Sequence, residues 1–366
     1  MDALTTPLNW QRVRLGDVLS YEQPTKFLVA TTQYLQKGFT PILTAGKTFI
    51  LGYTNDKHGI YTNIPVIIFD DFTTDSKMVN FPFKVKSSAI KILSLRDNNQ
   101  ADLKYIYEKL TLLKHQVTDH KRYWIDEFSN IEILLPPLNE QIAIANILSG
   151  LDRYLYSLDA LILKKEGVKK ALSFELLSQR KRLKGFNQAW EKIRLGDICE
   201  IVKGQQINKI SLNNTDKYPV INGGIDFLGY TNKFNVSKNT IAISEGGTCG
   251  YVRFMTSNFW SGGHNYSLQK ISNRVNNLCL YHILKSYEKD IMKLGVGSGL
   301  KNIQLKALKD FEILLPPLNE QTAIANILSG LDHEIISLKN KKRQFENIKK
   351  ALNHDLMSAK IRVLNK

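Results

Sequence analysis

Three short stretches hold residue types that could do chemistry. Gly46-Lys47-Thr48 ends like a phosphate-binding loop, but that loop needs a glycine five residues before Gly46, where Pro41 stands. No helical pattern follows, which argues against nucleotide binding. Asp70-Asp71, with Asp75-Ser76-Lys77 after it, resembles the carboxylates of a metal-dependent nuclease. The spacing is too short to set both carboxylates on neighbouring strands, and a polar loop is the simpler reading. Glu245-Gly246-Gly247-Thr248-Cys249-Gly250 could hold a reactive thiol, yet a tight strand connection explains its glycines better. The seven histidines form no cluster at metal-ligand spacing; His115 and His120, for instance, do not share a helix face. Cys199, Cys249 and Cys279 are far apart, with no C-x-x-C pair, which argues against disulfides and structural zinc and fits a reducing compartment. No Asn-Pro-Pro-Phe/Tyr run or glycine-rich cofactor loop is present. The chain reads as non-catalytic and metal-free.

Binding chemistry is better represented. Fifty Lys and Arg against 34 Asp and Glu leave a formal charge of +16, a field that attracts polyanions. In the first half the candidates are Lys47, Thr73, Thr74, Lys77, Lys86, Ser87, Lys121, Arg122 and Tyr123. In the second half they are Lys203, Gln205, Gln206, Asn222, Lys233, Arg253, His264, Asn265, Ser298, Lys301 and Asn302. Lys and Arg neutralise phosphates, while Asn, Gln and Arg can pair with base edges in bidentate fashion. Gly297-Ser298-Gly299-Leu300-Lys301-Asn302 is the strongest single loop, because Lys301 and Asn302 align with Lys121 and Arg122.

That alignment belongs to a duplication. Glu132 to Asp152 recurs from Glu312 to Asp332, changed only where Ile142 becomes Thr322, at an offset of 180 residues. Trp10 with Arg14-Leu15-Gly16-Asp17 recurs at the same offset as Trp190 with Arg194-Leu195-Gly196-Asp197. Between these markers the halves diverge, keeping only fragments such as Gly52-Tyr53-Thr54-Asn55 and Gly229-Tyr230-Thr231-Asn232. The period is far too long for a solenoid. It describes a doubled half-molecule with similar frames and different readers.

The elements follow from period. Val66–Phe69, Phe81–Val85, Ala89–Leu93 and Ile131–Leu135 have strand composition, and Leu103–Leu110 has helical spacing. Pro136-Pro137 must end the last strand. A helix then begins near Glu140 with Asn139 as its cap, and Ser149-Gly150 is the place where a bend or interruption is expected. Leu151, Leu155, Leu158 and Ile162 form a coiled-coil seam that Val168, Leu172 and Leu176 continue after a slip. The second copy supplies Leu331, Ile335, Leu338, Phe345, Ile348, Leu352 and Leu356. Two seams of roughly 30 residues imply helices about 45–50 Å long that pack antiparallel on each other. The lysine-rich faces, such as Lys164-Lys165 and Lys349-Lys350, read as the solvated outside of that coil. Pro136, Leu138, Glu140, Gln141 and Ile144, with Pro316, Leu318, Glu320, Gln321 and Ile324, offer more surface than one helix pair can bury and suit a protein partner.

The repeated L-P-P-L-N-E-Q-x-A-I-A-N-I-L-S-G-L-D block and the W-x-x-x-R-L-G-D openings resemble the specificity subunit of type I restriction–modification systems, over essentially the whole chain. The resemblance implies an α/β (α+β) fold with a pseudo-two-fold repeat. Target-recognition domains at 1–134 and 187–314 would be held by conserved helical regions at 135–186 and 315–366. Each domain would read one half of a bipartite, asymmetric site on double-stranded DNA, with the helices setting the spacer. Two methyltransferase subunits would dock on the helices and restriction subunits would join them. The resemblance places S-adenosylmethionine, ATP and magnesium on those partners and no cofactor on this chain. The chain starts with no signal-peptide pattern, and no apolar run approaches the ~18–20 residues of a membrane span, so a cytoplasmic location is expected. The rival reading is a protein-only scaffold with incidental charge.

Overall fold

The computed structural model describes residues 9–30, 32–46, 48–113 and 122–363. The chain forms two compact units. One runs up to Asp159 and is joined by the residues from Lys341 onward; the other runs from Ala160 to Asn340. This division halves each of two 40-residue helices, Leu138–Leu177 and Leu318–Met357.

In the first unit, strand Gln11–Arg14 pairs antiparallel with Glu132–Leu135 and so ties the start of the domain to the entrance of the first long helix. A four-stranded antiparallel sheet runs in the order Leu19–Glu22, Ile90–Leu95, Val66–Asp70, Ser76–Val79. A three-stranded sheet has Thr40–Leu43 at its centre, antiparallel to Ile50–Thr54 and parallel to Lys84–Val85. Helix Leu103–Thr111 is capped by Asp102, whose carboxylate accepts from Tyr105 N at 2.8 Å. Its core gathers Phe69, Tyr105, Trp124 and Phe128 with Ile144 and Leu148 of the first long helix and Leu356 and Met357 of the second.

The second unit repeats these three sheets and adds a two-stranded pair, Gly295–Val296 with Asn302–Ile303. Glu191–Arg194 pairs with Glu312–Leu315 in the register of the first copy. The four-stranded order is Glu200–Lys203, Asn265–Gln269, Thr240–Ser244, Val252–Met255. In the smaller sheet Tyr218–Ile221 lies between Gly229–Thr231 and the parallel Trp260–Ser261. Helix Asn277–Ser286 is capped by Asn276. Leu280, Leu284, Ile324 and Leu328 close the core together with Leu177. The globular sequences diverge, but the topology does not: one pattern of buried strands accepts many side-chain sets.

Within each unit the two long helices run antiparallel, because partner numbers fall as residue numbers rise. In the first unit Asp152 meets Lys349 at 2.6 Å, Asp159 meets Lys342 at 2.7 Å, and the rings of Tyr154 and Phe345 lie 4.6 Å apart. In the second, Lys165 meets Glu334 at 2.5 Å, and Lys169 meets Asp332. Several lysines of the basic faces therefore pair across the helices; Lys164, Lys170 and Lys350 are exposed. Leu158, Ile162, Leu176, Ile335 and Leu356 are buried as seam residues. Val168 and Ile348 are not, at 41% and 49% exposed, because a helix of 3.6 residues per turn drifts off a strict heptad line. Neither helix breaks at Ser149-Gly150 or Ser329-Gly330, where a Cβ would meet nothing within 4 Å; glycine there costs propensity, not continuity.

The helix entrances differ from the expectation of a capped start and an open docking face. The first helix begins at Leu138, ahead of Asn139, whose side chain accepts only from Glu140 N at 3.0 Å. Glu140 is 2% exposed and accepts from the Trp10 indole at 3.2 Å and from the Arg362 guanidinium at 2.7 and 3.0 Å. Glu320, 1% exposed, accepts from Trp190 at 3.0 Å and from Arg182 at 2.8 and 2.7 Å. Gln141 donates to the carbonyls of Pro136 and Gln100 and accepts from Asp102 N. Gln321 makes the same bonds to Pro316, Arg274 and Asn276. With Pro136, Pro316, Ile144 and Ile324 also buried, these ten expected partner contacts reduce to Leu138 and Leu318; the other eight are spent inside their own units. Ile142, Ile147 and Ile327 remain exposed beside them.

A second anchor lies deeper along the helices. Glu108, 2% exposed, accepts from Lys104, Lys349 and Asn353. Its counterpart in the second unit is His282, 3.2 Å from Ser329 Oγ and near Lys169 and Asp332. Burial, reinforced by Lys169, pushes this imidazole down to about 4.

Two outcomes are expected. Arg362→Ala leaves the Glu140 carboxylate buried beside a lone indole donor and should cost roughly 3 kcal/mol, read from denaturant unfolding. His282 is held neutral in the fold and is protonated more readily in the unfolded chain. Its contribution is therefore complete above about pH 6.5 and is lost as pH falls towards 4, by up to roughly 3 kcal/mol. Urea midpoints at pH 7 and 4.5 should diverge less in His282→Gln than in the wild type.

Candidate nucleic-acid interface

In the second unit, five connections converge at one end of the two sheets, and backbone bonds lock them together. Gln205 N donates to Ser261 O at 2.8 Å, and Gly204 N to Asn265 O at 2.8 Å. Glu245 N donates to His264 O at 2.9 Å, Thr248 N to Gly223 O at 2.8 Å, and Ile303 N to Glu245 O at 2.9 Å. Asn222 Oδ1 accepts from His264 N at 3.0 Å. Such approach requires glycine. A Cβ on Gly204 would sit 2.1 Å from Gly262 O, and Gly223, at φ +80°, would place one 2.5 Å from Gly246 O.

This packing gathers most of the expected second-half residues. Lys203, Gln205, His264, Lys301 and Asn302 are exposed around the cluster, with Asn222 half-buried at its base. Lys203 pairs with Glu245 at 2.8 Å; Glu245 also accepts from Tyr266, whose phenol burial and the carboxylate push up to about 12. Asn265 is corrected: it is 1% exposed on a central strand and serves as an internal strut, its Oδ1 3.4 Å from Ser244 Oγ. Ser298 is exposed beyond the pair Gly295–Val296 and Asn302–Ile303. Arg253 stands apart on its strand, stacked between Phe227 and Tyr251. Cys249 does not form a reactive thiolate site, since burial raises its pKa.

The first unit builds the matching place from other residues. Lys86 N donates to Leu43 O and Asp71 N to Ala89 O, repeating the bonds of Gly262 N to Ile221 O and Glu245 N to His264 O in the second unit. Asp71 occupies the position of Glu245; it is 4% exposed, paired with Lys91 at 2.8 Å, and accepts from Trp124 N at 2.9 Å. Asp70 accepts from Phe72 N and Thr73 N and so shapes its own turn. Both carboxylates are thus structural. Thr73, Lys86 and Arg122 are exposed, while Thr74 (φ +57°), Lys77 and Ser87 are partly covered. Tyr123 is corrected: it is fully buried in the core as the first residue of a helical turn. Lys47 and Lys121 lie outside the described residues.

Sequence reasoning missed the aromatic partners Phe227 and Tyr251 and the clasp arginines Arg182 and Arg362. The arginines did carry a signal, since they too are 180 residues apart. Among the described residues no group of three or more His, Cys, Asp or Glu could hold a metal, and no helix is long and apolar enough to cross a membrane.

The model of the type I restriction modification DNA specificity domain matches residues 7–165 and again 187–347. The EcoR124I/EcoR124II specificity subunit of Escherichia coli is 33% identical, over 87% of this chain and 85% of its own. The MjaVIII specificity subunit of Methanocaldococcus jannaschii is 25% identical, over 100% and 96%. The crystal structure of a type I restriction–modification S subunit from M. genitalium superposes with a TM-score of 0.74 at 21% identity, over 97% of both chains.

The loop packing yields an expected outcome. Gly204→Ala must push the Gly262 strand end away and should destabilise the chain by about 1–3 kcal/mol in urea unfolding, with the far-ultraviolet spectrum of the native state unchanged.

Proposed function

The chain belongs to the type I restriction–modification DNA specificity family, and from that premise we propose that its two globular domains read different halves of one bipartite, asymmetric DNA site. One observation carries this reading. The same loop end is built twice on the same sheet topology, yet one copy displays Gln205, Asn222, His264 and Asn302, the other Thr73, Lys86 and Arg122. Amide, imidazole and hydroxyl groups discriminate base edges, while the lysines and arginine hold phosphates. A chain of +16 formal charge favours the encounter.

As a specificity subunit the chain supplies recognition, not catalysis. In our reading, methyltransferase and restriction subunits assemble on it in the cytoplasm, two of the former docking on the helical regions. S-adenosylmethionine, ATP and magnesium belong to those partners, and the product is adenine methylated at N6. The target adenine must leave the stack to react, so the reader grips the flanking pairs while a partner extrudes it. The continuous helices set the distance between half-sites. The exposed Ile142, Ile147, Leu318 and Ile327, with the half-buried Leu138, are the apolar contacts available to a partner there.

The test is a methylome of cells carrying this chain, its deletion, or a version with residues 190–314 replaced by another reader. Deletion should erase N6-methyladenine from one bipartite motif, and the exchange should alter a single half of it. Change in both halves would defeat separable reading, and an unaltered methylome with the partners expressed would favour a scaffold.

A further inference from the structure

The turn between strands Tyr218–Ile221 and Gly229–Thr231 carries apolar groups that the core does not take up: Ile225, Phe227 and Leu228 are 53%, 44% and 38% exposed. Behind them stands Arg253. Its guanidinium carbon lies 5.0 Å from the Phe227 ring centre and 5.4 Å from that of Tyr251, and Lys285 Nζ lies 4.2 Å over Tyr251. The result alternates ring and cation. Yet Nη1 of Arg253 is buried and has no hydrogen-bond partner among the described residues. A charged donor left unpaired is costly, so free energy is gained if an acceptor reaches it. The root of the turn is fixed to the polar loops, since Gly223 O accepts from Thr248 N and Asn222 Oδ1 from His264 N.

We propose that this turn is a wedge: Phe227 enters a base step of the bound duplex, and its departure opens Arg253 to a phosphate of that step. This rests on the reading that the second domain binds DNA. Lys285 is held by Glu288 at 2.5 Å, but Arg253 has no carboxylate partner among the described residues, and a free guanidinium behind the apolar tip suits a polyanion better than an apolar protein face. Apolar side chains inserted between base steps kink a duplex, and every base offers a ring face to stack on. The unpaired N–H then gains an oxygen only in the complex.

The experiment uses the chain assembled with its methyltransferase subunits. Duplexes carry 2-aminopurine moved stepwise through the half-site of the second domain, the methylated adenine itself left unsubstituted. Emission should rise at one step on binding. Phe227→Ala should abolish that rise and weaken specific binding about tenfold with an unchanged salt slope; Phe227→Trp should restore both. Arg253→Gln should lower the salt slope by about one. Tight binding with no responsive step, or a response that survives Phe227→Ala, overturns the wedge alone. A wild-type complex that ignores the duplex overturns the DNA reading and the wedge with it.

Discussion

A carboxylate buried at the mouth of each long helix holds each unit together. Glu140 and Glu320 are removed from water by the packing of the helix entrance on the sheet core, and such a charge is tolerable only with donors in place. The indole comes from the start of the same globular domain and the guanidinium from just beyond the end of the other long helix. In the first unit this brings three points far apart in sequence, Trp10, Glu140 and Arg362, to one place; in the second, Arg182 and Trp190 come from one short stretch and meet the distant Glu320. The positive end of the helix adds to the attraction, and the glutamine next in sequence ties the same turn to the cap of a neighbouring helix.

With the frame fixed in this way, the loop ends are free to differ. Both four-stranded sheets place a carboxylate where strand gives way to loop, and the two are neutralised differently. Asp71 takes Lys91 from the adjacent strand, whereas Glu245 takes the phenol of Tyr266 and the lysine Lys203. The chemistry changes while the backbone bonds beside it persist. Such a surface can change what it recognises without renegotiating the core.

Much of this was legible in residue order. The 180-residue offset exposed the duplication, the prolines marked strand ends, and the seam residues Leu158, Ile162 and Ile335 were read from their spacing. The strands Val66–Asp70 and Ile90–Leu95 and the helix Leu103–Thr111 lie where composition put them. What misled was chemistry judged without burial. Tyr123 and Asn265 have the right groups for a nucleic acid and face the interior, and Glu140 and Gln141 look like surface residues because their partners lie about 40 to 220 residues away. The shared topology of the two domains was hidden for a related reason: hydrophobic strands fix a fold by pattern, and pattern survives after residue identity is lost.

The division of the long helices also has a consequence for the order in which the chain can fold during synthesis. The second unit is complete once Asn340 has been made. The first still lacks Leu356, Met357 and Arg362, so its core and its buried glutamate stay open until that later segment emerges. Folding units usually close in the order in which they are translated. Here the domain that is made first is finished last, and until then it exposes the apolar surface that a nascent-chain chaperone would shield.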